Sequence, residues 1–227
     1  MFPRRGLVYA VLILAQTVHP AYAGRSLDPR TAASGLKEAL SHGTGRAVGL
    51  LGQVDGYLGN KEVRIPMPEK LRTVDKGLRA IGKGSLVDEF VTSMNRAAEA
   101  AAPVAKPVFL DAITQMTFQD ALKIVRGRDH EATDYLQTTA GPSLARLFKP
   151  IAAEKLDSVG ATRSFNRMMK RYGSLPLVRK PTFDLQEFVT QKALDGMFFM
   201  IAREEENIRK NPLAQTSALL KKVFGGR

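Results

Sequence analysis

Asp184–Asn211, DLQEFVTQKALDGMFFMIAREEENIRKN, is the stretch that decides the fold class. Asp184 with Glu187 three residues later has the form of a capping box, and Asn211-Pro212 supplies a stop. Between them Phe188, Val189, Leu194, Met197, Phe198, Phe199 and Ile201 put apolar side chains on nearly every face, while charges crowd the C-terminal end. A segment this long with helical spacing reads as a helix, and apolarity all round reads as a buried one. It is expected to be the axis around which other helices pack.

Outward from this segment the same signals recur. Asp28-Pro29 opens a helix to about Leu51, with Gly43 and Gly45 inside it, either weakening it or admitting a close neighbour. Helical spacing then marks 68–81, 86–102, 141–159 and 161–172, Thr117 with Asp120 has the form of a capping box opening 117–126, and Asp129 is placed to cap another helix through Thr139. Pro103 and Pro107 are expected to break the chain before a short helix, VFLDAITQM, and Pro150 to kink the helix that carries it. Val63–Ile65 reads as a very short strand with a partner near 175–183. A last amphipathic helix carries Leu213, Leu219, Leu220, Val223 and Phe224. The fold class is therefore all-α, a multi-helix domain of roughly eight to ten helices with at most one short β-pair.

Residues 1–23 have the form of a cleavable signal peptide. Arg4 and Arg5 give a positive start, Gly6 to Ala15 a short apolar core, and Ala21-Tyr22-Ala23 a small-x-small cleavage site. The apolar run is about half the length of a membrane-spanning helix. With no cysteine in the chain, lipid attachment after that core is excluded, and 24–227 is expected to fold as one exported domain without disulfides, in the periplasm or outside the cell. No later segment has the length and apolarity of a transmembrane span.

The 227 residues carry 34 Lys+Arg against 22 Asp+Glu; without Arg4 and Arg5 the balance is 32 to 22, or +10. Outside the cytoplasm the polyanions for such a chain are lipid head groups, lipopolysaccharide and acidic polymers. The chain has no Trp and few aromatics, which disfavours nucleic acid because stacking platforms are scarce.

DGYLGN followed by VRIPMPEKL, then NRAAEAAAPVAKPVFLDAITQMT, then ALDGMFFMIAREEENIRKNP followed by TSALLKKVF, resemble in order and spacing the bacterial family called domain of unknown function 4197. The resemblance runs from about Leu36 to Phe224. It implies an exported, mostly helical protein and brings no catalytic residue, substrate or cofactor.

The residues themselves offer few chemical constellations. Lys192 and Asp195 lie three apart on the central helix amid apolar neighbours, and are expected to be a buried polar pair fixing the register of the core. Glu205, in line with Ile201 and Ile208, is expected to point inward, whereas the run Glu204–Glu206 with Arg203 and Arg209 otherwise reads as a solvated face. Asp129, His130 and Glu131 cannot converge as neighbours on a helix; only His130 and Asp134 share a face, and the absence of Cys argues against zinc. No Gly-x-Ser-x-Gly elbow and no phosphate loop after a strand occurs. No metal and no cofactor is expected.

The most interpretable feature is a charge run. Between Asp157 and Asp184 there is no acidic residue, but there are Arg163, Arg167, Lys170, Arg171, Arg179 and Lys180. This predicts a positive patch able to concentrate an anion. The leading expectation is a non-enzymatic exported protein that presents this patch to an anionic envelope component, a lipid-like ligand or an acidic partner, with an apolar cavity near Phe188, Phe198 and Phe199. The alternatives are a hydrolase-type enzyme using Asp195 and Glu205 as buried carboxylates, and a structural or assembly role.

Overall fold

A computed structural model describes residues 29–210. The signal pattern at 1–23, Asp28 as a cap, and the last amphipathic helix lie outside the described residues. Within them the chain forms eight α-helices and no strand: α1 Pro29–Leu51, α2 Arg72–Ala80, α3 Gly84–Gln115, α4 Phe118–Arg126, α5 Glu131–Thr139, α6 Gly141–Ser158, α7 Ala161–Tyr172 and α8 Leu185–Lys210. The all-α class is as the periodicity predicts.

The organisation differs from expectation at α3. Pro103 and Pro107 do not break it; the helix runs through both for 32 residues, about 48 Å. Each proline removes one intrahelical N–H, but both rings lie on the exposed side, where water can bond the freed carbonyls. The opposite side buries Phe90, Met94, Ala98, Ala101, Ala105, Phe109 and Ile113 in the core. Because α3 stays whole, it packs against α1, α2, α5, α6, α7 and α8, while α8 packs against α1, α3, α5 and α6. The axis is thus shared between α3 and α8, whose Phe109 and Phe198 rings meet edge to face at 5.5 Å. α6 carries Pro150 inside it, as the sequence places it.

The loop 52–68 is irregular yet tied to the core helices along its length. Tyr57, which is buried, donates its hydroxyl to the Ala193 carbonyl of α8 at 2.6 Å. The backbone N–H groups of Tyr57 and Leu58 both donate to Glu99 Oε1 on α3, at 3.1 and 3.0 Å. The expected strand at Val63–Ile65 does not form. Instead the Asn95 side chain takes the strand partner's place: its Oδ1 accepts from Ile65 N–H at 2.8 Å, and its Nδ2 donates to the Ile65 carbonyl at 2.9 Å. One buried amide satisfies the backbone groups that a β-pair would have satisfied.

Helix contacts rest on small residues where backbones come close. Gly43 of α1 faces Glu204 and Ile208 of α8, so this glycine admits a neighbour. Gly196 of α8 lies under the Tyr57 ring, where an added Cβ would sit 2.7 Å from Tyr57 Cε1. Gly49, by contrast, has open space around it. Helix propensity alone favours alanine at both Gly49 and Gly196 by up to about 1 kcal/mol. Urea denaturation should therefore show Gly49→Ala stabilising by up to about 1 kcal/mol and Gly196→Ala destabilising by about 1–3 kcal/mol, overpacking overriding propensity.

Burial holds the Tyr57 phenol far above its ordinary value of 10.0, with the Glu99 and Asp195 carboxylates adding to the effect. Below pH 10 the phenol is neutral in both folded and unfolded chains; above it only the unfolded chain ionises, so stability falls. Relative to Tyr57→Phe, the wild type should lose about 1.4 kcal/mol more per pH unit above about pH 10, measured by denaturation at stepped alkaline pH.

Candidate anion-binding cleft

α7 builds the candidate site. Ala161, Ser164, Met168 and Tyr172 recur at three- and four-residue steps and are buried, which turns Arg163, Arg167, Lys170 and Arg171 to solvent. Arg167, Lys170, Arg171 and Ser174 line one side of an open cleft of about 640 Å³, and Lys83, Ser85 and Leu86 at the start of α3 line the other. Lys83, Lys170 and Arg171 have no carboxylate within ion-pair distance among the described residues. Arg167 is paired: its guanidinium lies 3.0 Å from Glu89 of α3, which also accepts from Ser164 Oγ at 2.8 Å. The N-terminus of α3 carries no side-chain cap, so its positive dipole end adds to the field of the three free cations.

The six residues of the basic run do not all meet. Arg163 lies against Gly160 at the start of α7, and Arg179 is exposed on the loop beyond its end. Lys180 reaches back so that its stem covers Gly173, close to the last carbonyls of α7, where a cation is favoured. The cleft therefore uses half of the run and adds Lys83, Ser85 and Ser174, which sequence reasoning missed. Lys83 precedes the start of α7 by 78 residues in the chain, and only the packing of α3 on α7 brings it there.

The carboxylates expected inside take three directions. Lys192 and Asp195 are not buried: they pair on the helix surface at 2.9 Å with 44% and 41% of their side chains exposed, and Gln191 also donates to Asp195. The apolar neighbours that made the pair look buried lie on the other faces of α8. Glu205 is buried and accepts from the backbone N–H of Ala132 (3.0 Å) and Thr133 (2.9 Å), from the Thr133 hydroxyl and from Arg209. It thus caps the N-terminus of α5 from another helix. The expected cap, Asp129, does not act: His130 precedes α5 in a left-handed conformation, φ 71°, with no side-chain cap. Glu204 faces Arg46, and Glu206 pairs with Lys210. Asp195 and Glu205, ten residues apart on one helix, are separated by about 15 Å along its axis, so the hydrolase pairing is overturned.

Nor do the three phenylalanines converge on one space. Phe198 packs on Phe109, Phe188 on Phe183 at 5.3 Å, and Phe199 is exposed. No cluster of three metal-ligating side chains occurs among the described residues. None of the helices described is long and apolar enough to cross a membrane.

The structure defines an all-α protein with a basic cleft where α7 meets the start of α3. A family model described as "Protein of unknown function (DUF4197)" matches residues 26–225, and the chain belongs to that family. No curated protein and no solved structure matches the chain.

Removing the Glu205 carboxylate leaves Arg209 and two backbone N–H groups buried without their partner. Glu205→Ala should cost about 3–5 kcal/mol in urea denaturation, whereas Asp195→Ala, a surface pair, should cost less than about 1 kcal/mol.

Proposed function

We propose that this chain is an exported, non-enzymatic binding protein of the periplasm or cell exterior, and that the α7 cleft takes the anionic group of an envelope component. The single observation behind this reading is the convergence of Lys83, Lys170 and Arg171 on one cleft without a carboxylate partner among the described residues. Three like charges side by side repel one another, and a bound anion relieves that repulsion. The hydroxyl of Ser85 can donate to an oxygen of a phosphate or carboxylate, whereas that of Ser174, on the opposite wall, already donates to the Arg171 carbonyl at 2.7 Å. The signal-peptide form of residues 1–23 supports export, and the excess of basic over acidic residues suits an anionic partner there.

A phosphate-bearing head group fits the chemistry well, since lysine and arginine together offer both a point charge and a bidentate fork. The test uses residues 24–227 titrated with dihexanoyl phosphatidylglycerol below its micelle concentration, followed by calorimetry and by NMR. Saturable binding that weakens with salt is expected, and Lys170→Glu with Arg171→Glu should lower affinity about tenfold or more. Lys61→Glu with Arg126→Glu makes the same change in net charge on other elements and should leave binding near the wild-type level. Equal loss in both double variants would reduce the effect to overall charge and sink the cleft.

A further inference from the structure

The loop after α7, GSLPLVRKPTF (173–183), is fastened along most of its length. Ser174 and Leu175 N–H groups donate back to the Arg171 and Tyr172 carbonyls at 3.3 and 3.0 Å, continuing the turn of the helix. Leu175 and Val178 pack on the core. Phe183 sits between Phe165 and Phe188, with ring centroids 5.9 and 5.3 Å away. Between these anchors Leu177 is fully exposed, with its backbone in the left-handed region at φ 61°. That conformation is disfavoured for any residue with a branched aliphatic side chain, and full exposure of leucine is disfavoured again. Packing on both sides dictates the projection, so Leu177 is held out by the fold.

Leu177 also sits inside the acid-free run between Asp157 and Asp184. Arg179 and Lys180 follow it, and Lys170, Arg171 and the cleft precede it. Ile81, exposed at the end of α2, lies one turn beyond Gly77, whose open side faces Tyr172 and Leu175. An apolar tip flanked along the chain by cations that have no carboxylate partner among the described residues has the chemistry of a peripheral membrane contact: the leucine enters the interface while the cations meet lipid phosphates. We infer that the 173–180 loop docks this protein on an anionic bilayer, with Leu177 inserted at the level of the head groups and one head group held in the cleft. This inference rests on the anion-binding reading above and adds the surface that presents the anion.

The chain has no tryptophan, so Leu177→Trp gives a single reporter without background. With vesicles of phosphatidylglycerol in phosphatidylcholine, emission of the introduced indole should shift to the blue and be quenched by lipids brominated near the head of the acyl chain. Leu177→Glu should weaken vesicle binding on the order of tenfold. Leu177→Gly suits the left-handed backbone, so it should melt no lower than wild type while still binding vesicles more weakly; a merely structural leucine would not separate the two. Vesicle binding with the indole emission unchanged overturns insertion and leaves the cleft reading standing. Binding of the soluble short-chain lipid without binding of vesicles does the same. Failure of both the soluble lipid and the vesicles overturns the two readings together.

Discussion

Backbone N–H groups that are buried must find acceptors, and in this fold two carboxylates on the two central helices supply them. Glu99 on α3 takes the amides of Tyr57 and Leu58, and Glu205 on α8 takes those of Ala132 and Thr133. Each is balanced by an arginine on its own helix, Arg96 at 2.7 Å and Arg209 at 2.8 Å. A carboxylate accepting two amides and one guanidinium has its lone pairs largely used, which is the condition under which burying it is tolerable. The remaining architecture follows from these ties. Glu99 fixes the loop that sends Tyr57 across Gly196, and Glu205 sets where α5 begins relative to α8.

Elements whose signals are local were legible in the sequence, and elements whose partners are distant were not. The Thr117–Asp120 capping box forms with both of its bonds, and Asp184 accepts from Glu187 N–H at 2.9 Å, because a cap needs only residues three apart. Pro103 and Pro107 mislead because a proline's cost depends on whether its side of the helix is wet, and that is a tertiary fact. Asn95 misleads in the opposite way: a side-chain amide thirty residues distant takes the role expected of a strand, and no period in the sequence marks it. The trace it leaves is a polar residue on the apolar side of α3. Glu99 leaves the same trace in the run NRAAEAAAP, as a single carboxylate among alanines.

The basic patch was legible for a related reason and to the same limit. A run of 26 residues free of acid, 158–183, is visible in one dimension, but pairing is not. Glu89, on α3, removes Arg167 from the pool of free cations, while Lys83 joins that pool from the start of the same helix. The patch is therefore redistributed by tertiary structure: weaker at its centre and stronger toward the C-terminal end of α7. A single unpaired lysine on an open surface is neutralised by water and salt at little cost. Three cations facing one concavity, none within ion-pair distance of a carboxylate among the described residues, are a different case, because their fields add where an anion would sit.

Among the described residues three other than glycine adopt positive φ, and comparing them separates strain that serves the fold from strain that does not. Asp55 turns its carboxylate to Arg96 at 2.8 Å and so joins the Glu99 network. His130 turns the chain into α5, and its carbonyl accepts from Asp134 N–H at 2.8 Å as the first helical bond. In both cases the unfavourable dihedral is offset by a bond that the turn makes available. Leu177 makes no such bond through its side chain, which meets only solvent. The dihedral is held instead by the packing of Leu175 and Val178 on either side of it. Under the docking proposed above, lipid makes the contact that this side chain lacks, and Arg179 and Lys180, which follow it in the chain, suit an anionic surface.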